Sequence, residues 1–374
     1  MAKRFTAAEW DKIIKTFEAE PGAFGLPEGG REASIVLASF NIRKLNRTEN
    51  REAELDFLAR FCARCDLIAV QEIQDDLEGL LYLVARMESK IAGDGEFGLV
   101  VSDITGEVPG ERGMAERLAF IYRKRRIRRL DMVSDLNVDR TAVMDHFFTH
   151  HDVIMKAQKT YLKKMKDFEE KKRKSAPKFV MPAFVTFVRA PHVVAFEIPA
   201  ANDKPAITFA GVNAHLTWGN TSERRAEFEA LLSWMTHRLK SEDKMTVDNF
   251  ILLGDLNMDF DKPITDRKKI DSALRAKNTE VFGDPENRRI YFPFIDKHPK
   301  TGKQIRSNAR NSETFDQIAF FRGSTEDRLP NDTWADPHTG EDPDGFNYGV
   351  FNFADIFARA LKGKAYSQLT KSEK

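Results

Sequence analysis

Five apolar stretches carry, at or just past an end, a polar residue able to hold a metal or handle a proton. They are Asn41 in VLASFNIRKL, Glu72 in LIAVQEI, Asn213 and His215 in AITFAGVNAHL, Asp255 and Asn257 in NFILLGDLNMD, and Asp316 in ETFDQIAFFRG. A hard divalent cation such as Mg²⁺ takes one or two carboxylates, amide or carbonyl oxygens, and several waters. Glu72, Asn41, Asp255 and Asn257 supply that donor set. No Cys cluster or multiple-His cluster points to zinc, iron or copper. Beside a phosphate, such an ion neutralises the oxygens and lowers the pKa of a bound water. A His and an Asn can then stabilise the charged transition state. An Asp can orient the attacking water or accept its proton.

Each residue alone has an ordinary explanation. A Glu after an apolar strand is usually a solvated strand end. GDLN is a common turn in which Asp and Asn cap the next segment. A single His is more often half-buried and satisfied than catalytic. The set gains meaning only if separate elements bring it together.

Those elements are legible as an alternation. Residues 1 to 20 read as an amphipathic helix, and PGAFGLPEGG reads as a linker. Beyond it, strands are expected at SIVLASF, LIAVQEI, FGLVVSD, ERLAFIYR, AITFAGVNAHL, NFILLGDLNMD and ETFDQIAFFRG. FVTFVRAPHVVAFEI is expected to be two strands broken at Pro191. Helices are expected at REAELDFLARFCARC, LEGLLYLVARMESKI and SERRAEFEALLSWMTHRLKS, with apolar residues three and four apart. Residues 151 to 178 are Lys-rich and read as an inserted charged helix or flexible arm. Strands of one sheet can bring polar ends together from distant positions.

The totals set bounds. The chain has 374 residues, 41% hydrophobic and 31% charged, enough for one large domain or two small ones. Lys and Arg number 59 against 58 Asp and Glu, so net charge selects no partner. The charge is uneven, however. RKRRIRR at 123 to 129 and the insert are basic enough to follow nucleic-acid phosphates, or to be solvated faces. Two cysteines, Cys62 and Cys65, cannot close a four-ligand zinc site. They read as helical thiols near a core, in a reducing compartment. The N-terminus has no apolar signal region, and no apolar run approaches the ~20 residues of a membrane span. The expectation is a cytoplasmic protein without a membrane partner.

The ordered motifs FNIR, VQEI, ERLAFIYR, FVRAP, NAHL, GDLNMD and FDQI resemble the endonuclease/exonuclease/phosphatase superfamily, and within it the deoxyribonuclease I-like nucleases. The resemblance runs from about Ser34 to about Ala360. It implies a four-layer α/β/β/α sandwich of two mixed sheets, spanning 31–374 behind an N-terminal helix and linker at 1–30. It also implies that Asn41 and Glu72 hold Mg²⁺, with Mn²⁺ as an alternative. Asp255 and Asn257 would work on the attacking water and the scissile phosphate. His215, paired with Glu116, would act at the phosphate or leaving group. Arg43 and Arg189 match arginines that contact the DNA backbone, a role suited to a bidentate guanidinium.

Two departures qualify the match. The Arg that follows the metal Glu in the deoxyribonuclease pattern is replaced, the run reading QEIQDD with Gln74, Asp75 and Asp76. The family's closing strand and its S-D-H motif have no counterpart after GVFNFADIFARA. Asp316 matches the Asp that orients that motif's His, and His338 falls too early to replace it. A chain shortened before its last strand explains a retained Asp316 better than a natural variant does, and reduced turnover is expected. The function expected is Mg²⁺-dependent hydrolysis of a DNA phosphodiester. The alternatives are a phosphatase or phospholipid phosphodiesterase of the same superfamily, and a non-catalytic module. The module would bind nucleic acid or protein through the N-terminal helix or the insert.

Overall fold

A computed structural model describes residues 5–24, 26, 35–46, 51–74, 76–90, 95–105, 115–177, 179–201, 205–218, 221–240, 247, 249–258, 266–283, 289–295, 297–298, 302–308, 312–323 and 348–370. Two mixed sheets form its centre. The first has strand order β1–β2–β4–β3, from β1 (Leu37–Leu45), β2 (Leu67–Ile73), β3 (Phe97–Val101) and β4 (Arg117–Arg123). The second has order β5–β6–β7–β8–β10–β9. Its strands are β5 (Arg128–Asp135), β6 (His192–Ile198), β7 (Ile207–His215), β8 (Phe250–Asp255), β9 (Ile290–Tyr291) and β10 (Asp316–Phe321). β1 and β2 run parallel, as do β7 and β8, and the remaining pairs are antiparallel.

Three apolar clusters define the layers. Leu67, Ala69, Phe120, Val194, Phe196, Phe209, Ile251, Leu253 and Phe320 fill the space between the sheets. Helices α1 (Ala7–Ala19), α2 (Glu52–Cys62), α3 (Glu78–Lys90) and α8 (Phe353–Lys362) cover the outer face of the first sheet. The second sheet packs its outer face on α6 (Thr221–Lys240) through Phe228, Leu231 and Met235. Helix α7 (Asp266–Phe282) contacts α6. The result is the expected α/β/β/α sandwich.

Helix α1 begins at a capping box, with Thr6 and Glu9 bonding each other's backbone N–H. It buries Ile13 and Phe17 in the first sheet's cluster and packs on α8, where Phe5 and Trp10 meet Phe357. Both cysteines are buried thiols outside any disulfide, and burial pushes the Cys62 thiol well up, away from the reactive thiolate. No described helix is long and apolar enough to cross a membrane.

Three expectations need correction. FVTFVRA at 184–190 is irregular rather than a strand. Its Val188 N–H donates to the Glu227 carboxylate instead of to a neighbouring strand. RRLDMVSD is strand β5, hidden in the sequence because it is the exposed edge of its sheet, where charges belong. Helices α4 (Arg140–Thr149) and α7 are absent from the pattern-based expectation, and α4 buries nothing that would show as periodicity. The Lys-rich insert is helix α5 (His151–Glu169), with Ile154 its buried residue.

Candidate active site

The register places the polar strand ends at one end of the sandwich. Asn41 lies opposite Gln71, next to Glu72. Arg117, next to Glu116, lies opposite Ile73. In the other sheet His215 and Asp316 both lie opposite Asp255.

Asn41 joins the two halves. Its Nδ2 donates to Glu72 Oε1 at 3.0 Å and to Asp255 Oδ2, across the gap between sheets, at 3.1 Å. Glu72 Oε2 accepts from the Lys44 backbone N–H at 3.1 Å. Local irregularity aims these groups. The β1–β2 register shifts after Asn41, and the β2–β4 register shifts between Val70 and Ile73. There Glu72 takes φ +58° and Lys44 +53°, a left-handed region that non-glycine residues adopt only under outside constraint. A bulge of this kind turns a side chain out of the pleat and toward the rim.

The GDLN turn is built the same way. A Cβ on Gly254 would sit 1.9 Å from the Ala214 carbonyl oxygen, so the approach of β7 to β8 demands glycine. Asn257 has φ +50°, and its backbone N–H donates to Asp255 Oδ1 at 3.0 Å. Its Nδ2 donates to the Leu216 carbonyl at 2.8 Å, which ties the turn to the residue after His215.

His215 Nδ1 pairs with Glu116 Oε1 at 2.5 Å, both buried. Arg189 Nε pairs with the same oxygen, and its Nη1 donates to the Leu216 carbonyl at 3.3 Å. Arg189 is therefore buried, with 5% exposure, while Arg43 is exposed two residues beyond Asn41. One layer deeper, Asn213 donates to the Val70 and Ala119 carbonyls and accepts from Gln71 Nε2, clamping the sheets together.

Asp316 stands in register with Asp255. Burial first, then the Asp255 charge, pushes its carboxyl up to about 8. His338 lies outside the described residues. Asp76 acts locally, its Oδ1 accepting the Glu78 N–H at 3.0 Å at the start of α3.

Sequence reasoning missed Glu227. Its Oε1 accepts the Val188 N–H at 2.8 Å and its Oε2 the Thr217 N–H at 2.7 Å. One carboxylate thus holds the segments bearing Arg189 and His215, and burial raises its pKa. The signal was available: Glu227 and Leu231 are four apart on α6, which places an acid on the helix's apolar stripe. Arg224 was also missed; its Nη1 donates to the Asn257 carbonyl at 2.6 Å.

These residues fit a hard divalent cation. Asn41 Oδ1 is buried and accepts no hydrogen bond among the described residues, leaving one amide oxygen free for a metal. Beside it stand the Glu72 and Asp255 carboxylates. Among the described residues no group of three or more His, Cys, Asp or Glu forms a metal cage by itself, so the amide is the donor that completes the set.

No protein-family model matches the chain. A 99-residue stretch is 32% identical to deoxyribonuclease-1-like 1 from Sus scrofa, spanning 26% of this chain and 30% of that relative. An endonuclease/exonuclease/phosphatase family protein from Leptotrichia buccalis superposes with TM-score 0.42 at 14% identity, over 78% of this chain and 88% of its own. An endonuclease/exonuclease/phosphatase from Bacteroides vulgatus does so with TM-score 0.43 at 14% identity, over 77% and 87%. In motif order and sandwich architecture the chain resembles the endonuclease/exonuclease/phosphatase superfamily and its deoxyribonuclease I-like members. That superfamily is hydrolytic, comprises nucleases and phosphatases, and generally uses divalent metals.

Proposed function

We propose that this chain, as a relative of the deoxyribonuclease I-like proteins, is a Mg²⁺-dependent phosphodiesterase that cuts the DNA backbone by in-line attack of water. The observation that carries this reading is the meeting of Glu72 and Asp255, from separate sheets, on the Asn41 amide, whose oxygen is buried and accepts no hydrogen bond among the described residues. Glu72 and Asn41 would hold Mg²⁺, or Mn²⁺ in its place, which supplies charge neutralisation at the phosphate and a lowered pKa for water.

The chain's own groups divide the remaining work. Asp255 orients the attacking water and takes its proton. Asn257 and His215 donate toward the phosphate oxygens as negative charge develops. Glu116, bonded to His215 Nδ1, fixes the ring and leaves Nε2 for the phosphate or leaving group. Arg189 stands behind this pair and holds the Glu116 carboxylate in place. Asp316 bears on Asp255 from the adjoining strand. Arg43 takes a neighbouring backbone phosphate. The pig relative's name supports DNA as the substrate.

Supercoiled plasmid tests the reading. The wild-type chain should nick it with Mg²⁺ and not with EDTA, and Glu72→Ala should not nick it in either. Nicking that survives EDTA or the substitution would sink the proposal. Duplex binding should also weaken steeply with added salt, since it releases phosphate counterions.

A further inference from the structure

Trp218 is a large aromatic residue left 61% exposed three positions beyond His215. It is held on two sides by site neighbours. The Phe315 ring meets it edge-on, with centroids 5.2 Å apart at 90°, and Phe315 directly precedes Asp316. The Arg224 guanidinium lies 5.7 Å from its ring centroid while donating to the Asn257 carbonyl. The backbone leading to it is fixed as well. Leu216 N–H donates to the Asp255 carbonyl at 3.0 Å, Leu216 O accepts from Asn257, and Thr217 N–H donates to Glu227. Among the described residues, the other exposed large aromatic, Phe148, lies on α4, at the base of the Lys-rich arm.

A tryptophan held by Phe315 and Arg224, two residues past the Leu216 tied to Asp255 and Asn257, yet open to solvent, is a poor core residue and a good stacking platform. We propose that Trp218 stacks on an unpaired nucleobase adjoining the scissile phosphate. This reading rests on the phosphodiesterase assignment and narrows its substrate to strands with a base free to leave its own stack. A planar base matches a flat indole, and base–aromatic stacking tolerates any sequence because every base has a π-face. The cationic partner, Arg224, is positioned to favour a neighbouring phosphate as well.

The test compares a short fluorescent oligothymidylate with a strand of the same length made of abasic sugar phosphates. Binding is read by anisotropy in EDTA, so that nothing is cut. The wild-type chain should bind the base-bearing strand about tenfold more tightly, the scale of one stacked base. Trp218→Ala should bring that ratio close to one, and Trp218→Phe should restore most of it. Retained thermal melting would show that the variants are folded. A wild-type ratio of one, or a ratio unchanged in Trp218→Ala, overturns the stacking. If Mg²⁺-dependent nicking persists in that case, the phosphodiesterase reading stands alone. Neither strand bound, and no plasmid cut, overturns both.

Discussion

The two ends of the sandwich carry charge in opposite ways. At the β4–β5 turn, the basic run RKRRIRR is matched locally. Arg123 Nε lies 3.1 Å from Asp66, Arg123 Nη1 3.2 Å and Arg125 Nε 2.7 Å from Glu96, and Arg128 3.0 Å from Glu197. The chain there has ordinary backbone, and Asp66 also accepts the Val36 N–H. At the Asn41 end, Glu72, Asp255 and Asp316 crowd together with an amide between two of them, and Glu72 and Asn257 hold left-handed backbone. One end cancels its charges and the other accumulates them. Crowded carboxylates and strained backbone persist only where the surrounding fold enforces them, and they mark places set up for chemistry rather than stability.

Removing one group from each end should separate the two roles. Glu72→Ala should cost nicking activity on the order of a thousandfold, since the carboxylate proposed to hold the charge-neutralising Mg²⁺ is gone. Its unfolding midpoint in urea should stay level or rise, because one crowded charge is gone. Arg123→Met should do the reverse. Arg123 is buried, and its loss takes the close guanidinium from buried Asp66, which costs about 3 kcal/mol. Activity per folded molecule should be unchanged. A Glu72→Ala protein that unfolds easily, or an Arg123→Met protein that is stable but inactive, would erase the contrast.

The next test sharpens the contrast through pH. Burial and Asp255 raise the Asp316 carboxyl to about 8 in the folded chain, above its ordinary value near 3.8. The folded state therefore binds this proton more tightly than the unfolded state. The stabilisation is fully present below pH ~3.8 and is lost as pH rises toward 8. In EDTA, wild-type stability should fall across that window. Asp316→Asn should not show the fall, and at pH 8 it should be more stable than wild type by on the order of 1–3 kcal/mol. Mg²⁺ should recover part of the wild-type loss, since a ligand that binds only the folded state stabilises it. Parallel pH curves for the two proteins, from urea unfolding, would remove Asp316 as the source.

The same contrast explains what the sequence made legible. Strands β1, β2, β7 and β8 are apolar runs that stop on Asn41, Glu72, His215 and Asp255, and their parallel pairing brings those stops together. A buried strand announces itself by composition, so its functional end does too. The far end was opaque. RKRRIRR reads as a basic patch until Asp66 and Glu96, both distant in sequence, are placed beside it. Segment 184–190 misled for a related reason. FVTFVRA has strand-like residues, but a side chain on α6 takes the N–H that a ladder would have used. Periodicity describes which face is buried and does not show where a backbone donor is spent.

That side chain gives the smallest of these effects. Glu227 accepts two backbone N–H groups, one beside Arg189 and one two residues beyond His215. Glu227→Gln keeps one acceptor oxygen and puts an NH₂ group against the other N–H, leaving a buried donor unpaired. The cost should be about 1–2 kcal/mol, read as a lower urea midpoint. The proposed metal donors on β1 and β2 lie outside this contact, so Mg²⁺ should still raise the melting temperature as much as in wild type. Turnover should fall by about tenfold, because His215 and Arg189 lose one of the ties that fix them relative to Asp255. A loss of Mg²⁺ response equal to that of Glu72→Ala would place Glu227 at the metal itself, and the separation between anchoring and reacting carboxylates would fail.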